Sequence, residues 1–434
     1  MLGIASRLES EGFETWCVGG AVRDALLGYP HLDWDLATAA RPEQVRKLFR
    51  RTVPVGISFG TVGVLDEQGI MHEVTTFRRD VQTDGRHAVV EFGASLDEDL
   101  ARRDFTINAI AFSPSANRIH DPFGGRRDLD VGIVRAVGSP DERMREDRLR
   151  ALRALRFAAR FGFEIESTTW RAIAESAPSL ARLSAERVRQ EIEKTLDQVE
   201  RPSIALDLWR QSGAIDVLVP SLAGVTPLTL ASLDALPRPG PASRPARRMN
   251  RLVALFADVS PRHVSGALRG LRFSNADIRW VADVLEGWRA IAPPVEEMLL
   301  ADRALIDDAQ IRRWVAAVGR TRLPAVVRLI AARAAAGRQL GVEAPAAQAG
   351  ASLYRRAIRI AFRDAVALGD LAVDGDDLRA AGVPDGPLLG RILALLLQRV
   401  VEDQSVNSYD TLIRIGGALH DELRTDPRPE QQER

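Results

Sequence analysis

The sequence predicts an α+β protein in which sheet and helix mix at the N-terminal end and helix alone follows. Two observations carry this. Up to about residue 135, apolar runs bounded by glycine or charge (TWCVGG, GTVGVL, MHEVTTF) alternate with helical stretches such as PEQVRKLFRR, the pattern of an α/β head. Beyond residue 140, ERMREDRLRALRALRFAARFGF, TWRAIAESAPSLARL and SAERVRQEIEKTLDQV repeat apolar residues every three or four positions, and the remainder reads almost entirely as helix. Ser184 ahead of the last of these segments looks like a capped helix start. PRPGPASRPARR at 237–248 and EAPAAQAG at 343–350 read as exposed connections, and the polar RTDPRPEQQER at the end reads as disordered. No repeat of fixed period is present.

A chain of 434 residues exceeds one ordinary core and implies two to four domains. With 46% hydrophobic and 27% charged residues, the composition is that of a soluble globular protein. No segment reads as a signal peptide, and the longest apolar runs, near 324–336 and 391–400, are short and contain arginine. The single cysteine, Cys17, excludes an internal disulfide framework and points to a reducing cytoplasm. Its place in an apolar run implies a buried, inert thiol. Net charge is zero, so a site for a polyanion must come from local clustering. Lys47 and Lys194 are the only lysines, so arginine supplies the other 57 basic residues. Arginine clusters are weaker signals here than in an average chain.

The strongest local signal is GGAVRDALLGYPHLDWDLAT at 19–38. A glycine pair, Gly19-Gly20, ends an apolar strand and opens a helix, and Arg23 follows one turn later. Such a turn lets backbone approach phosphate oxygens, and the arginine adds a charge-assisted bond. On a strand, Asp33 and Asp35 project to one face while Trp34 points away. Two adjacent acids repel unless a cation neutralises them, which suits divalent metal beside a nucleoside triphosphate. A tight turn with a surface arginine and a solvated acidic loop are the plainer alternatives. Glu73 in MHEVTTF is a candidate third carboxylate, though a cross-strand arginine partner is the favoured reading.

Two later segments add candidates. In RRDFTINA at 102–109, Arg103 is available to phosphate or ribose, Asp104 to a hydroxyl or helix N-terminus, and Asn108 to ribose; a capped amphipathic helix is the alternative. In EDRLRALRALRF at 146–157, a continuous helix would place Asp147, Arg150 and Arg153 within roughly 120° of one another, with Arg156 further round. A salt-bridged solvent face is the plainer account.

Together these segments resemble the class II tRNA nucleotidyltransferases, of the polymerase-β-like nucleotidyltransferase superfamily, which add CCA to tRNA 3′ ends. The resemblance runs in order from about residue 15 to 200, through GGAVRDALLG…DWDLAT, RRDFTINAIAF, DPFGGRRDL, EDRLRALRALRFAARFGF and SAERVRQEIEKTL. It implies a catalytic head over 1–138, a base-recognising helical neck over 139–200, a helical body over 201–290 and a helical tail supporting tRNA over 291–434. It further implies that Asp33 and Asp35 hold Mg²⁺, that Gly20 and Arg23 bind triphosphate, and that Arg103 contacts the nucleotide. Asp147 and Arg150 would read the base, supported by Arg153 and Arg156. Partners would be tRNA, CTP and ATP, with no membrane.

The base-reading assignment agrees with hydrogen-bond chemistry. Cytosine and adenine both present an exocyclic amine donor beside a ring-nitrogen acceptor. A carboxylate only accepts and a guanidinium only donates, so one Asp/Arg pair fits both bases. Uracil and guanine reverse the order and would leave polar groups unpaired, at roughly 1–3 kcal/mol each.

The chain departs from many relatives at RLVALFADVS, where Ala257-Asp258 stands in place of a His-Asp metal phosphohydrolase pair; only His263 and His420 lie beyond residue 200. RRDVQTDGRHAVVEFG at 78–93 resembles the family's flexible loop and favours complete CCA addition over a CC-adding or A-adding enzyme. Bacterial poly(A) polymerases carry a basic, aromatic strand where this chain has PVGISFGTVGVL and rank second. An inactive RNA- or nucleotide-binding protein of the same fold is the alternative from another class.

Overall fold

The computed structural model describes residues 1–29, 34–83, 88–236, 244–300 and 306–425, and the fold is α+β as the sequence predicts. The chain divides into two compact units, Met1–Ala223 and Gly224–Arg434.

The first unit opens with α1 (Leu2–Ser10), β1 (Thr15–Val18), α2 (Gly20–Leu26), β2 (Asp35–Thr38), α3 (Pro42–Leu48), β3 (Thr52–Gly56), β4 (Thr61–Leu65) and β5 (Met71–Thr76). A hairpin of β6 (Arg78–Thr83) and β7 (Ala88–Phe92) follows, then α4 (Leu96–Ala101), β8 (Ala111–Ser113), β9 (Arg118–His120) and α5 (Gly125–Val131). Among the described residues, seven strands form one sheet in the order β3-β4-β5-β2-β1-β8-β9. Central β1 is buried along its whole length, and its β-branched, aromatic and small apolar residues suit a strand covered on both faces. Trp16, Val18 and Ala37 pack against Phe77, Leu96, Leu100, Ala109, Ala111 and Val137 in one core cluster. Cys17 is fully buried, and burial pushes its thiol up to about 12, the inert form expected.

Register places the chemistry. β1 pairs antiparallel with β2 so that Val18 faces Asp35, and β2 pairs parallel with β5 so that Leu36 faces Val74. The glycine turn after Val18 and the carboxylate of Asp35 therefore share one end of the sheet. One residue back from the Leu36–Val74 pair, Glu73 stands beside Asp35, while across β4 it faces Gly63. No arginine occupies either flank, so the favoured cross-strand partner is absent among the described residues, and the nearest ionisable neighbour in register is another acid.

The unit continues with β10 (Ile133–Val134), α6 (Pro140–Glu146), α7 (Leu149–Phe161), β11 (Glu164–Ile165), α8 (Ser167–Ser176), α9 (Ala185–Gln198), α10 (Pro202–Gln211) and α11 (Ala214–Leu218). The expected continuous helix over 146–157 is instead two helices. Asp147 adopts an extended conformation (φ −147°, ψ 103°), and its carboxylate accepts from the Leu149 N–H at 3.0 Å. A short acid that satisfies a free N–H at a helix start stabilises a break there. RRDFTINA is likewise not an amphipathic helix: only Thr106–Asn108 form a single 3₁₀ turn. Ser184 does precede α9, but its side chain makes no capping bond.

The second unit is helical: α12 (Pro227–Ala235), α13 (Arg244–Leu255), α14 (Pro261–Gly270), α15 (Asn275–Leu300), α16 (Asp308–Val318), α17 (Leu323–Gln339), α18 (Ala347–Arg363), α19 (Gly375–Ala380), α20 (Pro387–Glu402) and α21 (Tyr409–Thr425). The connections expected at 237–248 and 343–350 are shorter than the sequence suggested, because 244–248 begin α13 and 347–350 begin α18. Residues 237–243 and most of the polar end lie outside the described residues. Asp258 accepts from the Thr226 hydroxyl at 2.7 Å and from the Thr229 hydroxyl, and pairs with Arg333 at 3.2 Å. It ties α12 to α17. No helix is long and apolar enough to cross a membrane among the described residues.

Candidate active site

A cleft of about 450 Å³ in the first unit is lined by Gly19, Gly20, Arg23, Asp35, Arg102, Arg103, Asp104, Asn108, Asp147, Leu149, Arg150, Arg153, Phe157 and Arg187. Of the nine residues to which the resemblance assigns a role, seven line it: Gly20, Arg23, Asp35, Arg103, Asp147, Arg150 and Arg153. Asp33 lies outside the described residues. Arg156 does not line the cleft; it is buried beside it.

The floor is the turn between β1 and α2. Gly19 holds φ +75°, and a Cβ there would stand 2.9 Å from Arg103 Nη1 and 4.0 Å from Asp35 Oδ2. Both the positive φ and the close approach require glycine. Asp35 is exposed at the start of β2. Its carboxylate, with Glu73 next in register, offers the hard anionic oxygens that suit a divalent cation. Among the described residues no group of three acids or histidines forms a metal cluster.

Arg23 is almost completely buried. Its guanidinium lies 5.0 Å from the Phe157 ring and 4.8 Å from the Phe161 ring. It donates from Nη1 to Asn108 Oδ1 at 2.5 Å and from Nε to Asp24 Oδ1 at 2.8 Å. Burial pushes its pKa down and Asp24 opposes the shift. Asp24 also pairs with Arg160 at 3.1 Å, so the turn that holds the glycines is joined to α7. Asn108, a ribose candidate from sequence, thus spends its carbonyl on Arg23 and its amide on Asp104 Oδ1, at 2.8 Å.

Asp104 is the buried counter-charge of the cleft. Its Oδ2 pairs with Arg153 at 2.7 Å. Burial acts to raise its pKa, but the Arg153 guanidinium and the Asn108 hydrogen bond prevail and hold it at about 2. Asp104 raises the pKa of Arg153 in return.

A further part of the lining comes from the break between α6 and α7. Asp147 Oδ2 accepts from Arg187 Nη2 at 2.8 Å, and its other oxygen caps Leu149. Arg150 donates to Glu146 Oε2 at 2.6 Å and to the carbonyls of Arg102 and Arg143, at 2.8 and 3.2 Å. Asp147 and Arg150 both line the cleft, each fixed by partners, one offering acceptors and the other donors. Arg156 Nε pairs with Glu191 at 2.7 Å, with side chains 4% and 1% exposed, and Arg156 lies 4.5 Å over the Phe157 ring.

Sequence reading missed Arg187, Glu146 and Glu191. One signal was available for Glu191: with Val188, Ile192 and Thr195 it falls on the buried stripe of α9, where an unpaired acid would be costly.

Residues 15–135 match the family described as the poly A polymerase head domain, and residues 162–225 match a probable RNA and SrmB-binding site of polymerase A. The chain is 34% identical over 426 residues to the CCA-adding enzyme of Limosilactobacillus fermentum, covering 96% of each chain. It is 36% identical over 415 residues to that of Lactiplantibacillus plantarum, covering 94% of this chain and 93% of the relative. The crystal structure of the Bacillus stearothermophilus CCA-adding enzyme in complex with CTP superposes with a TM-score of 0.77 at 34% identity, covering 98% of this chain and 97% of that one. Identity at this level over nearly the whole chain and a head-domain match that includes the β1–α2 turn show that the chain belongs to the CCA-adding enzymes and is a tRNA nucleotidyltransferase.

Proposed function

We propose that this enzyme adds C, C and A to the 3′ end of tRNA lacking them, using CTP and ATP and no nucleic-acid template, in a two-metal nucleotidyl transfer in the cytoplasm. One observation carries the reading: a single cleft is lined by an acid beside a glycine turn and by an acceptor–donor pair, Asp147 and Arg150.

In this reading Asp33 and Asp35 hold Mg²⁺, which when bound lowers the pKa of the tRNA 3′-hydroxyl and neutralises triphosphate charge. Glu73 beside Asp35 is the candidate third carboxylate. Gly20 and Arg23 take the triphosphate, and Arg103 contacts the nucleotide from across Gly19. Asp147 accepts the exocyclic amine of C or A, while Arg150 donates to the ring nitrogen. Arg153, locked to Asp104, lines the space between, and Arg156 supports α7 from behind through Glu191. The head over 1–138 would supply phosphate and metal ligands and the neck over 139–200 the base readers. The body over 201–290 and tail over 291–434 would support tRNA. Asp258, bound to two threonines of the body and to Arg333 of the tail, serves as a structural tie rather than as part of a phosphohydrolase site.

The test is tRNA lacking CCA incubated with labelled CTP and ATP, separately and together, with product length read on a gel. Three added nucleotides support the proposal. A stop after CC, addition of A alone, a long A tail or no extension would each overturn it in favour of a partial enzyme, a poly(A) polymerase or a binding protein.

A further inference from the structure

The end of α4 carries an acid that no part of the proposed reaction uses. Asp99 is 1% exposed. Its Oδ1 accepts from Arg102 Nε and Nη2 at 3.0 and 2.8 Å, and its Oδ2 accepts from Arg103 Nη2 at 3.0 Å. Both arginines line the cleft. Burial would raise the Asp99 pKa, but the charges of Arg103 and Arg102 prevail and keep it below the usual carboxylate range. A carboxylate this enclosed is stable only while its cations stay in place.

The geometry sets what that carboxylate does. With Nη2 anchored on Asp99, the guanidinium of Arg103 turns its Nη1 edge towards Gly19, where Nη1 lies 2.9 Å from the position a Cβ would take. Arg103 is thus aimed across the glycine turn at the side of the cleft that holds Asp35. An arginine on a flexible stem loses rotamer freedom when it binds an anion, and a partner that fixes it beforehand removes that cost. The main chain at this end of α4 meanwhile anchors the neck: the Ala101 carbonyl accepts from Arg143 at 3.1 Å, and the Arg102 carbonyl accepts from Arg150 at 2.8 Å. Arg150 is therefore held by backbone and by Glu146, not by the Asp99 side chain.

We propose that Asp99 is a positioning residue for nucleotide binding: it aims Arg103 at the phosphate or ribose of any incoming nucleotide and leaves base choice untouched. The inference rests on the reading that Arg103 touches the nucleotide. It separates two functions that meet at the same helix end, a side-chain arm that sets affinity and a backbone arm that sets selectivity.

The experiment compares the full-length enzyme with Asp99→Asn, Arg103→Met and the double variant, assayed where melts show all of them folded. KM and kcat are measured for CTP and ATP, together with discrimination against UTP. Asparagine keeps the shape but can oppose an amide donor to an arginine donor, so Asp99→Asn should raise KM for CTP and ATP alike by about tenfold, the scale of one charge-assisted bond. The CTP-over-UTP ratio should stay at the parent value, and Arg103→Met should absorb most of the effect, so that the double variant resembles Arg103→Met alone. Asp99→Glu, which keeps the charge one methylene further out, should fall between parent and Asp99→Asn, and it carries the same test if the asparagine variant does not fold. Unchanged KM in Asp99→Asn with raised KM in Arg103→Met would overturn the positioning role and leave the Arg103 reading standing. Unchanged KM in Arg103→Met would overturn that reading itself. Lost discrimination, or full additivity in the double variant, would show Asp99 acting as general scaffold and would also overturn the proposal.

Discussion

Replacing Glu191 by alanine separates support of the cleft from contact with nucleotide. Glu191 and Arg156 form an ion pair with side chains 1% and 4% exposed, joined at 2.7 Å between α9 and α7. Gln198 also accepts from Arg156, at 3.3 Å, and Lys194 reaches Glu191 at 3.5 Å. Removing the acid leaves the buried guanidinium with the Gln198 oxygen and the Phe157 ring but without its carboxylate, a change that costs about 3 kcal/mol when a buried pair is broken. In a unit of this size each kcal/mol moves the melting temperature by roughly 2–4 °C, so the shift should be roughly 6–12 °C. Glu191→Gln keeps an acceptor for Arg156 and should lose about half as much stability. The assay is a thermal melt paired with nucleotide KM on the same protein. Because Arg156 stands outside the cleft lining, KM for CTP and ATP should change less than threefold, a shift below about 0.7 kcal/mol. An unchanged melt would refute the buried-pair reasoning. An unchanged melt with a sharply raised KM would make Arg156 a direct nucleotide contact.

Asp35→Ala should abolish nucleotide incorporation while leaving tRNA binding within about twofold, as gel-shift titration would show; retained activity would remove Asp35 from the metal site. Protein stripped with EDTA should be inactive and recover with Mg²⁺, and turnover without divalent metal would count against the mechanism. Acid should unfold the head through Asp104. Its folded pKa, about 2, lies below the unfolded value of about 3.9, so its contribution is present above pH 4 and is lost as pH falls towards 2. Melts from pH 6 to 2 should show this loss, up to about 2 kcal/mol from this group, and Asp104→Asn should flatten that part of the curve. A variant that keeps the parent's slope would refute the assignment.

What could be read from sequence depended on whether a residue's role is local. Gly19, Gly20 and Asp35 were legible because a turn needing positive φ and an acid on the adjoining strand are short-range features, and the sheet register brings them together. The pairing of Asp147 with Arg150 survived although the helix supposed to unite them breaks at Asp147. The break still leaves both residues on the cleft wall, because Glu146 and the Arg102 carbonyl hold Arg150. Partners set by tertiary placement were not legible. Arg187 meets Asp147 across forty residues and Arg153 meets Asp104 across 49, and in a chain with 57 arginines nothing local marks which one will do so. Arg23 and Asn108 illustrate the same limit: both line the cleft, and nothing local in the sequence shows that the fold joins them to each other.

The proposed function requires one cleft to select C and A through the carboxylate of Asp147 and the guanidinium of Arg150. The most direct measurement is the ratio of kcat/KM for CTP over UTP in single-nucleotide addition by the parent and by Asp147→Ala. The ratio should fall by about 10- to 100-fold in the variant, because uracil no longer faces an acceptor opposite its own carbonyl. A ratio that stays at the parent value would contradict it.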